Sequence, residues 1–286
     1  MVMFIAEVSS NHARDLHRCL KFVDAAAQIG CDAVKFQLFR VDELFAPEIL
    51  ARSEAHRKRK DWELPTSFLS PIAERCRLRN INFICTPFSL QAVEELKPYV
   101  SHYKIASYEL TWPTLIEACA KTGKPLILST GMATSEEIRS AVASFRRTNG
   151  RDLTLLHCVS GYPHPCEEAN LAAIETLRRD HNCPIGWSDH SALPGVIHRA
   201  IHRWDAKVIE FHLDLDGQGD EFKTGHCWLP EPIARVIAEV RDGLRADGTG
   251  IKAPMPAEIA DREWRADPSD GLRPFKKLRA DWMPAR

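Results

Sequence analysis

Along this 286-residue chain, short and nearly continuous apolar runs alternate with longer segments of helical spacing. A strand buried on both faces reads as such a run, and a helix that crosses over it covers one face. The alternation therefore calls for parallel βα units. The runs are Val2 to Val8, Ala33 to Leu38, Asn82 to Cys85, His102 to Ala106, Pro125 to Ser129, Thr154 to Val159, Pro184 to Asp189 and Lys207 to Leu213. Helical spacing covers Leu16 to Ile29, Thr66 to Arg79, Leu90 to Leu96, Pro113 to Lys121, Ser135 to Arg147, Leu171 to Arg178, Pro194 to Trp204 and Pro230 to Leu244. Thr134 ahead of Ser135, Glu136 and Glu137 reads as a helix start, and Gly30 as a helix end. Eight such units predict an α/β fold closed as a (β/α)8 TIM barrel, with a doubly wound open sheet as the alternative. The expected organisation is a barrel over residues 1–250 and a C-terminal extension over 251–286.

Composition narrows the functional classes. Lys and Arg number 38 against 39 Asp and Glu, a net charge of −1, so no phosphate backbone or anionic membrane surface is an implied partner. No run approaches the roughly 20 apolar residues of a membrane helix, and the first residues lack a basic region and a cleavage site. The expectation is a cytoplasmic protein. Nine cysteines, odd in number and without a CxxC pair, read as reduced core thiols and not as a structural zinc site.

In a barrel of this kind chemistry sits at the C-terminal ends of the strands. Those ends carry Glu7 with Asn11, Lys35 with Gln37, Thr86, Lys104 with Ser107 and Glu109, Ser129, Ser160 with Tyr162, Ser188 with His190, and Glu210 with His212. Strand alternation puts Val208, Glu210, His212 and Asp214 on one face and Ile209, Phe211 and Leu213 on the other. With the apolar face toward the helices, Glu210 and His212 point into the barrel mouth. Ser188 and His190 repeat the spacing on the neighbouring strand. Two imidazoles and a carboxylate suit a divalent transition metal with open positions, and manganese, cobalt or zinc fits the set. His198 and His202 also stand one helical turn apart, but on an outer helix facing solvent or a partner. Lys35 and Lys104 interrupt apolar strands beside hydroxyl-rich ends. Each needs an anion: a protein carboxylate, or the phosphate and carboxylate of a ligand. A Schiff-base lysine of the class I aldolase type is a further reading for either one.

The motifs IAEVSSNH, DAVKFQLF, FICTPF, YKIASYEL, LSTGMAT, LHCVSGYPHP, IGWSDHS and VIEFH occur in this order, one per βα unit. Together they resemble the sialic acid synthase family from about Ile5 to His212. That family condenses phosphoenolpyruvate with a sugar aldehyde, usually an N-acylated hexosamine, to give a nine-carbon 3-deoxy-2-ulosonic acid. The resemblance implies metal ligation by His190 and His212, with Glu210 and Asp189 adjacent. It places Lys35, Thr86, Lys104, Ser107, Ser129 and Ser188 around phosphoenolpyruvate, and Glu7, Gln37, Tyr162 and Asp220 at the sugar. Glu109 falls on an acid that moves protons or handles phosphate, so Glu109, Glu210, Lys35 and Lys104 form the expected catalytic set. Manganese is the expected ion, with magnesium or cobalt as alternatives, and a homodimer the expected assembly.

Departures from the family pattern mark where expectation is thinnest. Ser160 stands where many members have Asn, which alters a water or substrate contact. Phe211 replaces the usual cation between Glu210 and His212. In the following loop Gly225 precedes His226 where an acid often precedes a histidine. Members append an antifreeze-like domain of roughly 60 residues that lends an arginine to the partner's sugar site. Only roughly 40 residues follow the last helix here, too few for such a domain. Arg262, Arg265 or Arg273 is the candidate replacement, against a plain surface strap. The competing classes are the aldolase-type lyase and a non-catalytic barrel.

Overall fold

The computed structural model describes residues 2–282. Eight strands, β1 (Met3–Glu7), β2 (Ala33–Leu38), β3 (Asn82–Pro87), β4 (His102–Ile105), β5 (Leu126–Ser129), β6 (Leu153–Cys158), β7 (Ile185–Asp189) and β8 (Val208–His212), pair in parallel in chain order. Pairing of β8 with β1 closes the barrel. No strand end differs from its predicted position by more than two residues.

Register stacks the inward side chains in layers. Ile5, Ala33, Ile84, Ile127, Leu156 and Val208 form one buried apolar cluster, with Met3 packed against it. Gly186 belongs to this layer because nothing larger fits: a Cβ there would stand 2.4 Å from the Val208 carbonyl oxygen and 2.5 Å from Leu156 Cδ2. Two residues further along, the same faces present Glu7 and Lys35, which are paired across β1 and β2, and Ser188 and Glu210, paired across β7 and β8. Outward positions such as Phe4, Phe36, Tyr103 and Trp187 are fully buried under the helices.

The helices follow from amphipathic spacing and their caps. Asp15 caps Leu16–Gln28, and Thr134 with Glu137 forms a reciprocal capping box on Ser135–Arg147. Two starts shift: Thr66 to Phe68 form a 3-10 turn before Leu69–Arg79, and the helix expected from Leu171 begins at Ala173. Between β2 and the Leu69 helix, Val41–Leu44, Pro47–Arg52 and Glu54–Lys58 form three short helices. They are too short and too polar to show a buried stripe in sequence. All nine cysteines are free, and seven are buried. Among the described residues no helix is long and apolar enough to cross a membrane.

The compact units run to Gly243 and from Leu244, against the boundary expected at residue 250. The second unit holds together through Arg279 with Asp270, Lys277 with Glu263, Arg265 over the Phe275 ring and an edge contact of Trp264 with Trp282. Arg262, Arg265 and Arg273 all belong to it and are exposed.

Candidate functional site

At the C-terminal ends of the strands, buried charges form a balanced group. Lys35 Nζ lies 2.8 Å from Glu210 Oε1 and 3.2 Å from Glu7 Oε2. Lys104 Nζ lies 3.8 Å from the same Glu210 oxygen and donates to Ser129 Oγ at 2.6 Å and to the Ile105 carbonyl at 3.0 Å. Ser188 Oγ donates to Glu210 Oε1 at 3.2 Å. Gln37 donates to Glu7 Oε1 at 2.5 Å. Two lysines and two carboxylates cancel formally, which is what makes their burial tolerable.

The two lysines nevertheless differ. Burial disfavours the Lys35 cation, but Glu210 and Glu7 outweigh it and raise its pKa. Lys104 has only the more distant Glu210 and a repelling Lys35, so burial wins and lowers it to about 8. Glu210 would be raised by burial, yet Lys104 and Lys35 hold it well below the usual carboxylate range. Glu109, in the turn after β4, is raised by burial to about 7 against the pull of Lys104. Its Oε2, together with Thr86 Oγ1, Ser160 Oγ and Glu210 Oε2, is buried without a hydrogen-bond partner. Ser107 Oγ accepts from the Gly131 amide at 3.0 Å, and a Cβ at Gly131 would meet Ser160 Oγ at 2.4 Å. The glycine thus leaves room for unpaired hydroxyls at the strand ends. Unpaired hydroxyls beside two ammonium groups are what a polar, anionic molecule needs for its negative oxygens.

Imidazoles stand above this group. The His190 and His212 rings are 5.3 Å apart, and Tyr162 lies over His190 at 4.1 Å. His190 Nδ1 bonds the Val159 carbonyl at 2.8 Å, which can only accept, so Nε2 of the neutral ring carries a lone pair. His212 Nδ1 donates to Glu221 Oε2 at 2.8 Å, which raises the pKa of this ring against its burial; in its neutral form the lone pair is again on Nε2. The neutral form of each ring thus has the tautomer a metal requires, and two such imidazoles fit a divalent transition metal, which displaces the proton that Glu221 favours on His212. Burial and His212 push His190 down to about 3, so the ring is neutral across the physiological range.

The structure brings together Glu7, Lys35, Gln37, Thr86, Lys104, Ser107, Glu109, Ser129, Ser160, Tyr162, Ser188, His190, Glu210 and His212 at one end of the barrel. Two expected residues lie elsewhere. Asp220 is exposed, beside Lys223 at 3.5 Å and the Trp62 indole, while its neighbour Glu221 turns into the site. The inward acid of this loop is Glu221. Asp189 points outward, where it accepts from Trp187, Trp228, Ser191 and Ala192. Five donated hydrogen bonds make it the anchor of the loop bearing His190 and not a group facing a metal. The alternation that turns Ser188 inward already turns Asp189 away. His198 bonds Glu239 on an outer helix at 3.0 Å and stacks on His202, remote from the strand ends.

Three contributors escaped the sequence reading. Glu221, Thr224 and His226 lie in the loop after β8, which carries no periodicity to reveal direction. Asn11, read only as a strand-end polar residue, donates to the Leu213 carbonyl at 3.1 Å and accepts from the Glu221 amide at 3.1 Å, so it ties that loop to β1. A Cβ at Gly219 would strike Asn11 Oδ1 at 2.3 Å, so the loop can close there only on glycine. The signal available was a Glu, a Thr, a His and a Cys within a span of seven residues in the loop that follows the last strand.

The NeuB family profile matches residues 22–252. A pseudaminic acid synthase of Campylobacter jejuni is 36% identical over 262 residues, covering 87% of this chain and 76% of that protein. An N,N'-diacetyllegionaminic acid synthase of Legionella pneumophila is 32% identical, covering 89% and 76%. Among solved structures, the N-acetylneuraminic acid synthetase of Leptospira borgpetersenii in complex with citrate superposes with a TM-score of 0.81 at 34% identity, covering 92% of this chain and 91% of that one. With the family match over residues 22–252, relatives above 30% identity over most of the chain and the shared fold, the chain belongs to the NeuB family and is an enzyme of the sialic acid synthase kind.

Proposed function

We propose that this enzyme condenses phosphoenolpyruvate with a sugar aldehyde of the N-acylhexosamine type and water, releasing phosphate and a 3-deoxy-2-ulosonic acid. The observation that carries the reading is the pair of buried lysines sharing Glu210 beneath hydroxyls that lack partners, since a substrate with a phosphate and a carboxylate meets both needs. The relatives named as sugar-acid synthases support it.

Lys35 and Lys104 hold the substrate's negative groups, and Thr86, Ser107, Ser129, Ser160 and Ser188 orient them by hydrogen bonding. Glu7, Gln37 and Tyr162 meet the sugar. The enol C3 attacks the aldehyde carbon to form the new C–C bond, water adds at C2, and the C2–O bond to phosphate breaks. Glu109, poised at about 7, carries a proton for the departing phosphate at the pH of a neutral medium. His190 and His212 would hold a divalent metal, manganese in preference to magnesium or cobalt. Such an ion supplies Lewis-acid polarisation of an aldehyde oxygen when bound.

A second reading rests on the Lys104 amine, which at about 8 is the more readily deprotonated lysine of the pair. Borohydride with pyruvate would fix an imine on Lys104 if the enzyme were an aldolase, and leaves the protein unlabelled if it is a synthase. The direct assay is phosphate release from phosphoenolpyruvate with manganese, across N-acylated hexosamines, their 6-phosphates and simple aldoses. Release that needs both the sugar and free metal supports the synthase; release without sugar, or none with any acceptor, overturns it.

A further inference from the structure

His190 and His212 differ in what stands behind them. His190 Nδ1 meets a neutral backbone carbonyl, that of Val159, whereas His212 Nδ1 donates to a carboxylate oxygen, Glu221 Oε2, at 2.8 Å. Glu221 therefore lies across the His212 ring from Nε2, the nitrogen open to a metal. It stands behind a ligand and is not one itself.

A carboxylate in that place does more than a carbonyl can. Both acceptors fix the hydrogen of the neutral ring on Nδ1 and leave the lone pair on Nε2. Only the carboxylate adds a negative charge, which draws the Nδ1 hydrogen toward itself and makes the Nε2 lone pair a stronger donor.

The carboxylate is itself held from several sides. Ser9 and Ser10 donate to Oε1, Ser10 at 3.1 Å, and the Glu221 amide donates to Asn11 Oδ1 at 3.1 Å. Thr224 Oγ1 donates to the Glu221 carbonyl at 2.6 Å. Ser9 reaches Glu221 from a backbone with φ of +47°, a left-handed conformation that a residue with a Cβ adopts at a cost. The same Ser9 hydroxyl accepts from Gln37 at 3.1 Å, and Gln37 donates to Glu7. One run of hydrogen bonds thus joins Glu7 and Gln37 at the strand ends, through Ser9 and Glu221, to His212.

We propose that Glu221 is a positioning residue for the metal centre, which orients His212 and strengthens its Nε2 as a donor to the ion. The inference rests on the metal reading given under Proposed function and extends it to the residue behind one ligand.

The test is titration of the metal-free full-length protein with Co2+, read by calorimetry and by the visible absorption of bound cobalt, for wild type, Glu221→Gln, Glu221→Asp and His212→Ala. Circular dichroism of the metal-free proteins checks folding. Glu221→Gln keeps the length of the side chain and an acceptor for His212 Nδ1, while the Ser9 and Ser10 hydroxyls can turn to accept from its amide. What it removes is the charge. The expected result is a roughly ten- to hundredfold loss of Co2+ affinity, with absorption bands that shift in position and keep their intensity, because the ligands are the same and one is a weaker donor. Glu221→Asp, with the charge on a shorter arm, should recover part of the affinity, and His212→Ala should lose binding altogether. A folded Glu221→Gln protein with wild-type affinity and spectrum, beside a His212→Ala protein that fails to bind, overturns the inference and leaves the proposed function standing. If Glu221→Gln misfolds, Glu221→Asp decides: a several-fold loss of affinity supports the inference, and wild-type affinity and spectrum overturn it. Absence of Co2+ and Mn2+ binding to wild type overturns the metal reading and the inference with it.

Discussion

Two layers of the barrel interior, one step apart on the same strands, are built to opposite specifications. The lower layer of Ile5, Ala33, Ile84, Ile127, Leu156 and Val208 is apolar and close-packed. Directly above it on those strands stand Glu7, Lys35, Thr86, Ser129, Cys158 and Glu210. One layer gains free energy by leaving water, and the other gives up hydration to hold charges in place. The difference teaches that stability and chemistry are separable along a strand by a shift of two residues, because the inward face recurs with period two.

The separation is sharpest at the rim. His212→Ala removes an imidazole whose packing contribution is small, so turnover in the phosphate-release assay should fall by about 10³-fold or more while the melting temperature moves by only a few degrees. Unchanged turnover would remove His212 from the chemistry.

One step lower, at Glu210, the separation should fail. Glu210→Gln leaves Lys35 with Glu7 alone and Lys104 without its carboxylate, so the variant should lose about 3 kcal/mol in urea unfolding as well as activity. A variant as stable as wild type would mean that the lysines find new partners, and the upper layer would then be functional without being structural.

Legibility in the sequence follows the same division. Both layers were readable because strand period fixes direction: apolar at Ile84 and Ile127, polar at Thr86 and Ser129, all facing in. Lys35 and Lys104 stood out for another reason, as cations interrupting apolar strands beside hydroxyl-rich ends. What period could not reach was the loop after β8, where direction is set by hydrogen bonds of Asn11 to Leu213 and Glu221, by Thr224, and by the space left at Gly219. There Asp220 and Glu221 are equivalent as letters and opposite in space. Asp189 is the converse case. Its motif suggested a place beside the metal, while the period of its own strand directs it to the tryptophans.

Glu109 sharpens the comparison through pH. Its carboxyl is raised from 4.5 to about 7, chiefly by burial, so the folded protein keeps a proton the unfolded chain has released. Stability therefore falls as pH rises from about 4.5 to 7, and the full penalty is present above that. Glu109→Gln should be more stable than wild type at pH 8 and indistinguishable from it at pH 4. Turnover should drop about 10²-fold and lack the decline expected of wild type above pH 7. A decline that survives in Glu109→Gln would assign it to another group, with Lys104 at about 8 the next candidate.

The smallest expected effect tests the lower layer alone. Ile127→Val removes one buried methylene from the cluster and should cost about 1 kcal/mol, read as a lower urea midpoint at unchanged slope. Turnover should stay within twofold, because Ile127, although paired with Lys104 across β4 and β5, presents only hydrocarbon and makes none of the polar contacts that hold the charged groups. If turnover drops several-fold instead, the void has let β5 shift and carried Ser129 away from Lys104, whose 2.6 Å hydrogen bond leaves little slack. The apolar layer would then be setting the geometry of the ionic layer as well as supporting it, and the two-residue step would mark a change of polarity without a change of purpose.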